Sequence, residues 1–198
     1  MKTLKYFFFI AFGGLLMAAD CSNKDSEFYN DVYLSVPNLI TIENQDHYTV
    51  NDILWINSDN FSRYLSEPNQ STPLDVYKTT GGAQSFEFSY VLEKQVSADT
   101  WELVPLGSNL IVERGTATET ESYIAAVCKF SATTNRYELR NGLKFTQPGN
   151  YRLSFGYNST AANAELRSES VSNNLFVNIN SVTTSLDASG NYNFTVSP

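Results

Sequence analysis

Hydrophobic and polar residues alternate with a period of two through most of the chain after about residue 31. That spacing puts successive side chains on opposite faces of a β-strand. Phe86, Phe88, Tyr90 and Leu92 fall on one face, with Glu87, Ser89 and Glu93 on the other. Tyr151, Leu153, Phe155 and Tyr157 alternate with Arg152 and Ser154, and Leu175, Val177 and Ile179 with Phe176, Asn178 and Asn180. Tyr192, Phe194 and Val196 alternate with Asn193, Thr195 and Ser197. Further strands are predicted over 32–36, 39–43, 48–57, 101–104, 110–114, 123–130 and 137–145. Turn formers punctuate them at Pro37-Asn38, Gly81-Gly82, Ala98-Asp99, Pro148-Gly149-Asn150 and Ser189-Gly190-Asn191. Asn141-Gly142 predicts a two-residue hairpin between 137–139 and 143–145.

About ten short strands, each with one apolar face, predict antiparallel sheets packed face to face, an all-β sandwich over 31–198. No stretch supports a long amphipathic helix. The best helical candidate, 160–168, is expected to be a loop or a single turn. Two long connections, 66–84 and 159–173, offer loop surface at the ends of such a sandwich.

The chain has 198 residues, 42% hydrophobic and 17% charged. That length suggests one domain, or at most two small ones, with apolar surface enough to offset the ordering entropy. A pI near 4.6 argues against nucleic acid, because no net positive field exists to displace counterions from phosphates. With 2 Cys and 1 His, a Cys/His metal site is short of ligands. No cofactor is expected.

The first thirty residues carry an address. Lys2 and Lys5 form a basic start, and residues 6–19 are uncharged and apolar. Fourteen residues are too few to cross a bilayer, which takes about 20, so residues 1–20 read as a signal peptide. Leu16-Met17-Ala18-Ala19-Asp20-Cys21 then places a cysteine behind small residues, and 22–27 is a polar tether. This segment resembles the export signal of Bacteroidota-type outer-membrane lipoproteins. The resemblance implies a lipidated Cys21, a tether over 21–30 and an outer-membrane, surface-exposed domain held to the membrane by its acyl chains. Asp20 departs from the small residue usual before that cysteine. Removing residues 1–20 leaves 11 basic and 20 acidic side chains, a net charge of −9. Anionic headgroups repel such a domain, so acyl groups must supply the attachment.

Residues 143–153, Leu-Lys-Phe-Thr-Gln-Pro-Gly-Asn-Tyr-Arg-Leu, resemble the E–F corner of immunoglobulin-like domains. There a Pro-Gly turn ends one strand and a tyrosine opens the next. The resemblance implies an immunoglobulin-like antiparallel β-sandwich in which the Tyr151 hydroxyl bonds back to the corner backbone. Trp55 is expected in an early core strand as an anchor.

Candidate chemistry is sparse. His47, between Glu43 and Asp46, could act as a base or one metal ligand, but a solvated turn is the simpler reading. Cys128 shares a strand face with Ile124, Ala126 and Phe130 and reads as a buried thiol. Asn57-Ser58-Asp59-Asn60 offers oxygen donors of the kind Ca²⁺ takes, without the spacing of a dedicated loop. Asn60, Asn158 and Asn193 head glycosylation-type triplets, which a bacterial host usually leaves unused. Tyr64, Tyr77 and Tyr157, near the long loops, are the residues that could stack on sugar rings. The expected role is binding or structural, not enzymatic, with glycans or other envelope proteins as partners. The alternatives are an accessory glycan-binding subunit of an outer-membrane uptake complex and a divergent hydrolase using His47.

Overall fold

The computed structural model describes residues 30–156, 163–169, 171, 175–183 and 185–198. The protein is mostly β, with sheets packed on one another. The larger sheet runs in the order β1 (Asn30–Ser35), β16 (Leu175–Val182), β15 (Asn163–Ser168), β7 (Ser85–Ser97), β14 (Gly149–Phe155), β17 (Asn191–Ser197), β3 (Tyr48–Thr49). The second sheet holds β2 (Thr41–Glu43), β4 (Ile53–Asn57), β13 (Arg140–Lys144) and β9 (Leu110–Arg114) in that order. A small ribbon of β5 (Tyr64–Leu65) and β6 (Leu74–Asp75) leads into a one-turn helix, α1 (Val76–Thr79).

β7 organises the larger sheet because it is long enough to take two partners on one edge. Its first half pairs with β11 (Ile124–Ser131), from Ser85 opposite Lys129 to Tyr90 opposite Ile124. Its second half pairs with β8 (Thr100–Leu103), starting at Glu93 opposite Leu103. Its other edge takes β15 and then β14. β10 (Thr116–Glu119) and β12 (Arg136–Glu138) extend the sheet beyond β11.

The alternation sets the burial. Phe86, Phe88, Tyr90 and Leu92 point inward, as do Tyr151, Leu153 and Phe155 and also Val177 and Ile179. Burying each such side chain stabilises the fold by about 1.5–3 kcal/mol. Aromatic rings gather at both ends of the core. Phe61, Phe86, Phe130 and Tyr137 pack at one end with centroids 4.8–5.1 Å apart. Tyr48, Phe145, Tyr151 and Phe194 pack at the other, at 5.2–5.6 Å.

Four expectations change. Asn141-Gly142 is not a hairpin turn but the interior of β13, paired with β4 on one side and β9 on the other. The physical reason is space: a Cβ on Gly142 would lie 2.8 Å from Trp55 Cζ3 and 2.6 Å from Ile53 Cγ2. The glycine is there to let the indole lie across the strand. The predicted strand 137–145 divides, β12 belonging to one sheet and β13 to the other, with buried Leu139 between them. The 160–168 segment holds a strand, β15, in which Ala164, Leu166 and Ser168 face inward. Its pattern is hidden because small or polar residues, Ala164 and Ser168, fill two of the three inward positions. Finally, the sheets are not wholly antiparallel, since β1 joins β16 and β3 joins β17 in parallel.

Candidate functional site

One concavity among the described residues arises where the two partners of β7 part. β8 leaves that edge after Leu103 and β11 joins it at Ile124, so Val91 and Leu92 lie at the floor of a notch. The resulting cleft has a volume of about 620 Å³ and is walled by Leu103, Val104, Pro105 and Tyr123. That size suits a small ligand or a few side chains of a partner. Leu103 is 46% exposed, an apolar side chain presented to solvent at the rim.

Two of the polar residues of the cleft, Glu119 and Thr120, hold its walls, while Glu121 and Ser122 line it beside them. Glu119 accepts hydrogen bonds from the backbone N–H of Leu106 and of Gly107, both 2.7 Å, and so fixes the 3₁₀ turn Gly107–Asn109. The Thr120 hydroxyl donates to the Tyr123 carbonyl at 2.7 Å. Nothing in the sequence pattern announced this site, because Val91, Leu103 and Tyr123 belong to three separate strands or turns. The available signal was the Pro105-Leu106-Gly107 break directly after a strand.

The expected aromatic platform is built differently from the expectation. Tyr64 and Tyr77 do come together, around the Arg63 guanidinium, which lies 5.3 Å from the first ring centroid and 5.0 Å from the second. Asp75 fixes Arg63 with bonds of 2.7 and 2.6 Å, and Arg63 in turn holds the Asp75 carboxyl below the usual aspartate range. Asp75 also caps α1 by accepting from the Lys78 N–H at 2.9 Å. Tyr77 is a packing residue: its ring meets Phe130 at 4.6 Å and its hydroxyl meets Gln84 at 3.0 Å. Tyr64, 48% exposed, keeps the more open ring. Tyr157, like Cys21, lies outside the described residues.

Other expectations resolve at the level of single contacts. The Tyr151 hydroxyl donates to the Gln147 carbonyl at 2.8 Å, the backbone contact expected of the corner. Trp55 is half-buried on the outer side of its sheet, not a core anchor, with the Arg140 guanidinium 4.3 Å from its ring centroid. Leu54 and Ile56, its neighbours, take the core positions. His47 is exposed between β2 and β3. Cys128 is fully buried, and burial pushes its thiol up to about 12.

Side-chain oxygens of Asn57, Ser58 and Asp59 are engaged within the fold. Asn57 Oδ1 accepts from Thr41 and from the Asp59 N–H. The Asp59 carboxylate pairs with Arg114 at 2.9 Å. Ser58, 2% exposed, donates to the Tyr137 carbonyl and accepts from the Leu139 N–H. A guanidinium therefore takes the position beside Asp59 that a cation would need. Among the described residues no group of three or more His, Cys, Asp and Glu is arranged to hold a metal. No helix among them is long and apolar enough to cross a membrane.

Comparison of the chain with protein-family models, with curated proteins and with solved structures finds no match.

Proposed function

We propose that this chain is a lipid-anchored cell-envelope protein with one immunoglobulin-like sandwich and a binding or structural role rather than a catalytic one. One observation carries the functional part. The 620 Å³ cleft is walled mainly by aliphatic and aromatic side chains, with Glu121 and Ser122 among them, and its Glu119 carboxylate and Thr120 hydroxyl are tied to backbone groups. Such a lining suits contact with an apolar partner segment better than bond-making chemistry, which needs an oriented nucleophile and base. Envelope proteins are therefore the partner class proposed, ahead of oligosaccharides.

Strand order supports the immunoglobulin-like reading. In that fold one sheet runs A-B-E-D and the facing one C-F-G. Taking β2, β4, β7, β9, β13, β14 and β17 as the seven strands in chain order, the smaller sheet reads first, second, fifth, fourth. The facing strands β7-β14-β17 read third, sixth, seventh. Tyr151 then stands at the start of the sixth strand, where the family's corner tyrosine stands. The remaining strands are insertions between these seven or additions at the sheet edges.

The anchor is tested by proteinase shaving of intact cells, comparing the native protein with a Cys21→Ala variant. The expected result is a native domain that is membrane-bound and digested, and a variant released to the periplasm or medium. Identical behaviour of the two proteins would end the lipoprotein reading.

A further inference from the structure

The direction of β1 says which end of the domain faces its anchor. β1 is parallel to β16, β16 antiparallel to β15, and β15 antiparallel to β7, so β1 and β7 run the same way through the sheet. Asn30, the first residue of β1, and Ser85, the first of β7, therefore lie toward one end. The ribbon β5–β6 and α1 close that end: α1 feeds β7 through 80–84, and Tyr77 packs on Phe130 at the last turn of β11.

We infer that this end of the sandwich rests on the lipid surface that carries the anchor, with Tyr64 and Val171 at headgroup level. The inference depends on the lipidated Cys21 proposed above. Nine residue steps separate Cys21 from Asn30, and a chain of that length reaches at most about 30 Å. β7 alone, at 13 residues, spans about 40 Å. A domain standing on its opposite end, at the β7–β8 hairpin, would hold Asn30 farther from the bilayer than the chain can reach.

The surface at this end is suited to the headgroup zone. Tyr64 is 48% and Val171 47% exposed, an amphipathic ring and an aliphatic side chain at the same end of the sheet. Tyrosine favours the interface, where its ring is shielded and its hydroxyl stays wet. Two carboxylates that would be repelled by anionic lipid are already engaged. Asp75 pairs with Arg63, and Glu169 accepts from the Gln84 N–H and the Ser85 hydroxyl. Lys78 and Lys129 are exposed beside them, and each is a cation for a lipid phosphate.

The test uses the full-length lipidated protein in vesicles of phosphatidylethanolamine and phosphatidylglycerol. The single-substitution variants Tyr64→Cys, Val171→Cys and Leu103→Cys receive a fluorophore, and a nitroxide on the lipid headgroup serves as quencher. Buried Cys128 and an acylated Cys21 leave the new thiol as the labelled one. Quenching should be several-fold stronger at 64 and 171 than at 103, and Cys21→Ala should abolish the difference. Protein that takes up palmitate and floats with the vesicles, yet quenches equally at all three sites or more at 103, overturns the orientation and leaves the anchor standing. Protein that neither takes up palmitate nor floats overturns both.

Discussion

At the scale of single residues, polar contacts set by a few atoms give the sharpest expectations. Tyr151 is 3% exposed and its hydroxyl has one acceptor, the Gln147 carbonyl. Tyr151→Phe keeps the ring contacts with Phe145 and Phe194 and removes only that bond. It should lower the unfolding free energy by about 0.5–1.5 kcal/mol, read from urea midpoints; an unchanged midpoint would deny the corner its role. Asp75 gives a pH-dependent expectation. Its folded pKa lies below its unfolded value, so the pair with Arg63 contributes above the ordinary aspartate range near 4. That contribution is lost as pH falls through the lowered folded value. Asp75→Asn, which keeps a capping side chain, should be less stable than the native protein at pH 7. The gap should close below about pH 4; a gap of constant size from pH 7 to 2 would assign the loss to something other than the charge. Both tyrosines of the Arg63 cluster were legible as aromatic loop residues. That Tyr77 is consumed by Phe130 and Gln84 was not, because those neighbours come from strands far along the chain.

Among elements, β13 carries the clearest departure from local rules. Asn-Gly is a strong hairpin signal, yet the pair sits where two neighbouring strands demand extended backbone and where Trp55 needs a residue without a Cβ. Gly142→Val should force the indole and the Ile53 side chain aside, costing about 1–3 kcal/mol, the usual range for overpacking. Trp55 fluorescence should shift to the red as the ring is pushed toward water. A variant of native stability and spectrum would mean that β4 and β13 are farther apart than described. β15 shows the opposite case, a strand whose sequence gives little alternating signal but whose backbone is bonded to β16 along its length and to β7 at its end. Pairing with a strand already in place overrides a weak intrinsic preference.

For the whole molecule, stability rests on packing, since Cys128 is free and buried. The thermal midpoint should be the same with and without dithiothreitol; a fall on reduction would reveal a disulfide to Cys21 and with it an unlipidated thiol. The sequence by itself determined which face of most strands is buried, the Tyr151 contact, the acidic balance and the uncharged apolar stretch ahead of Cys21. These are local properties: a period of two, a five-residue corner and a string of small residues ahead of a cysteine are complete within a few positions. The tertiary structure alone decided the parallel edges at β1 and β3, the passage of the chain from one sheet to the other at Leu139, and the cleft above Val91 and Leu92. Each depends on which distant strands share an edge, and the cleft exists because β8 and β11 divide one edge of β7 between them without meeting. Strand pairing is a contest among segments far apart in the chain, so its outcome is fixed only when the whole core closes.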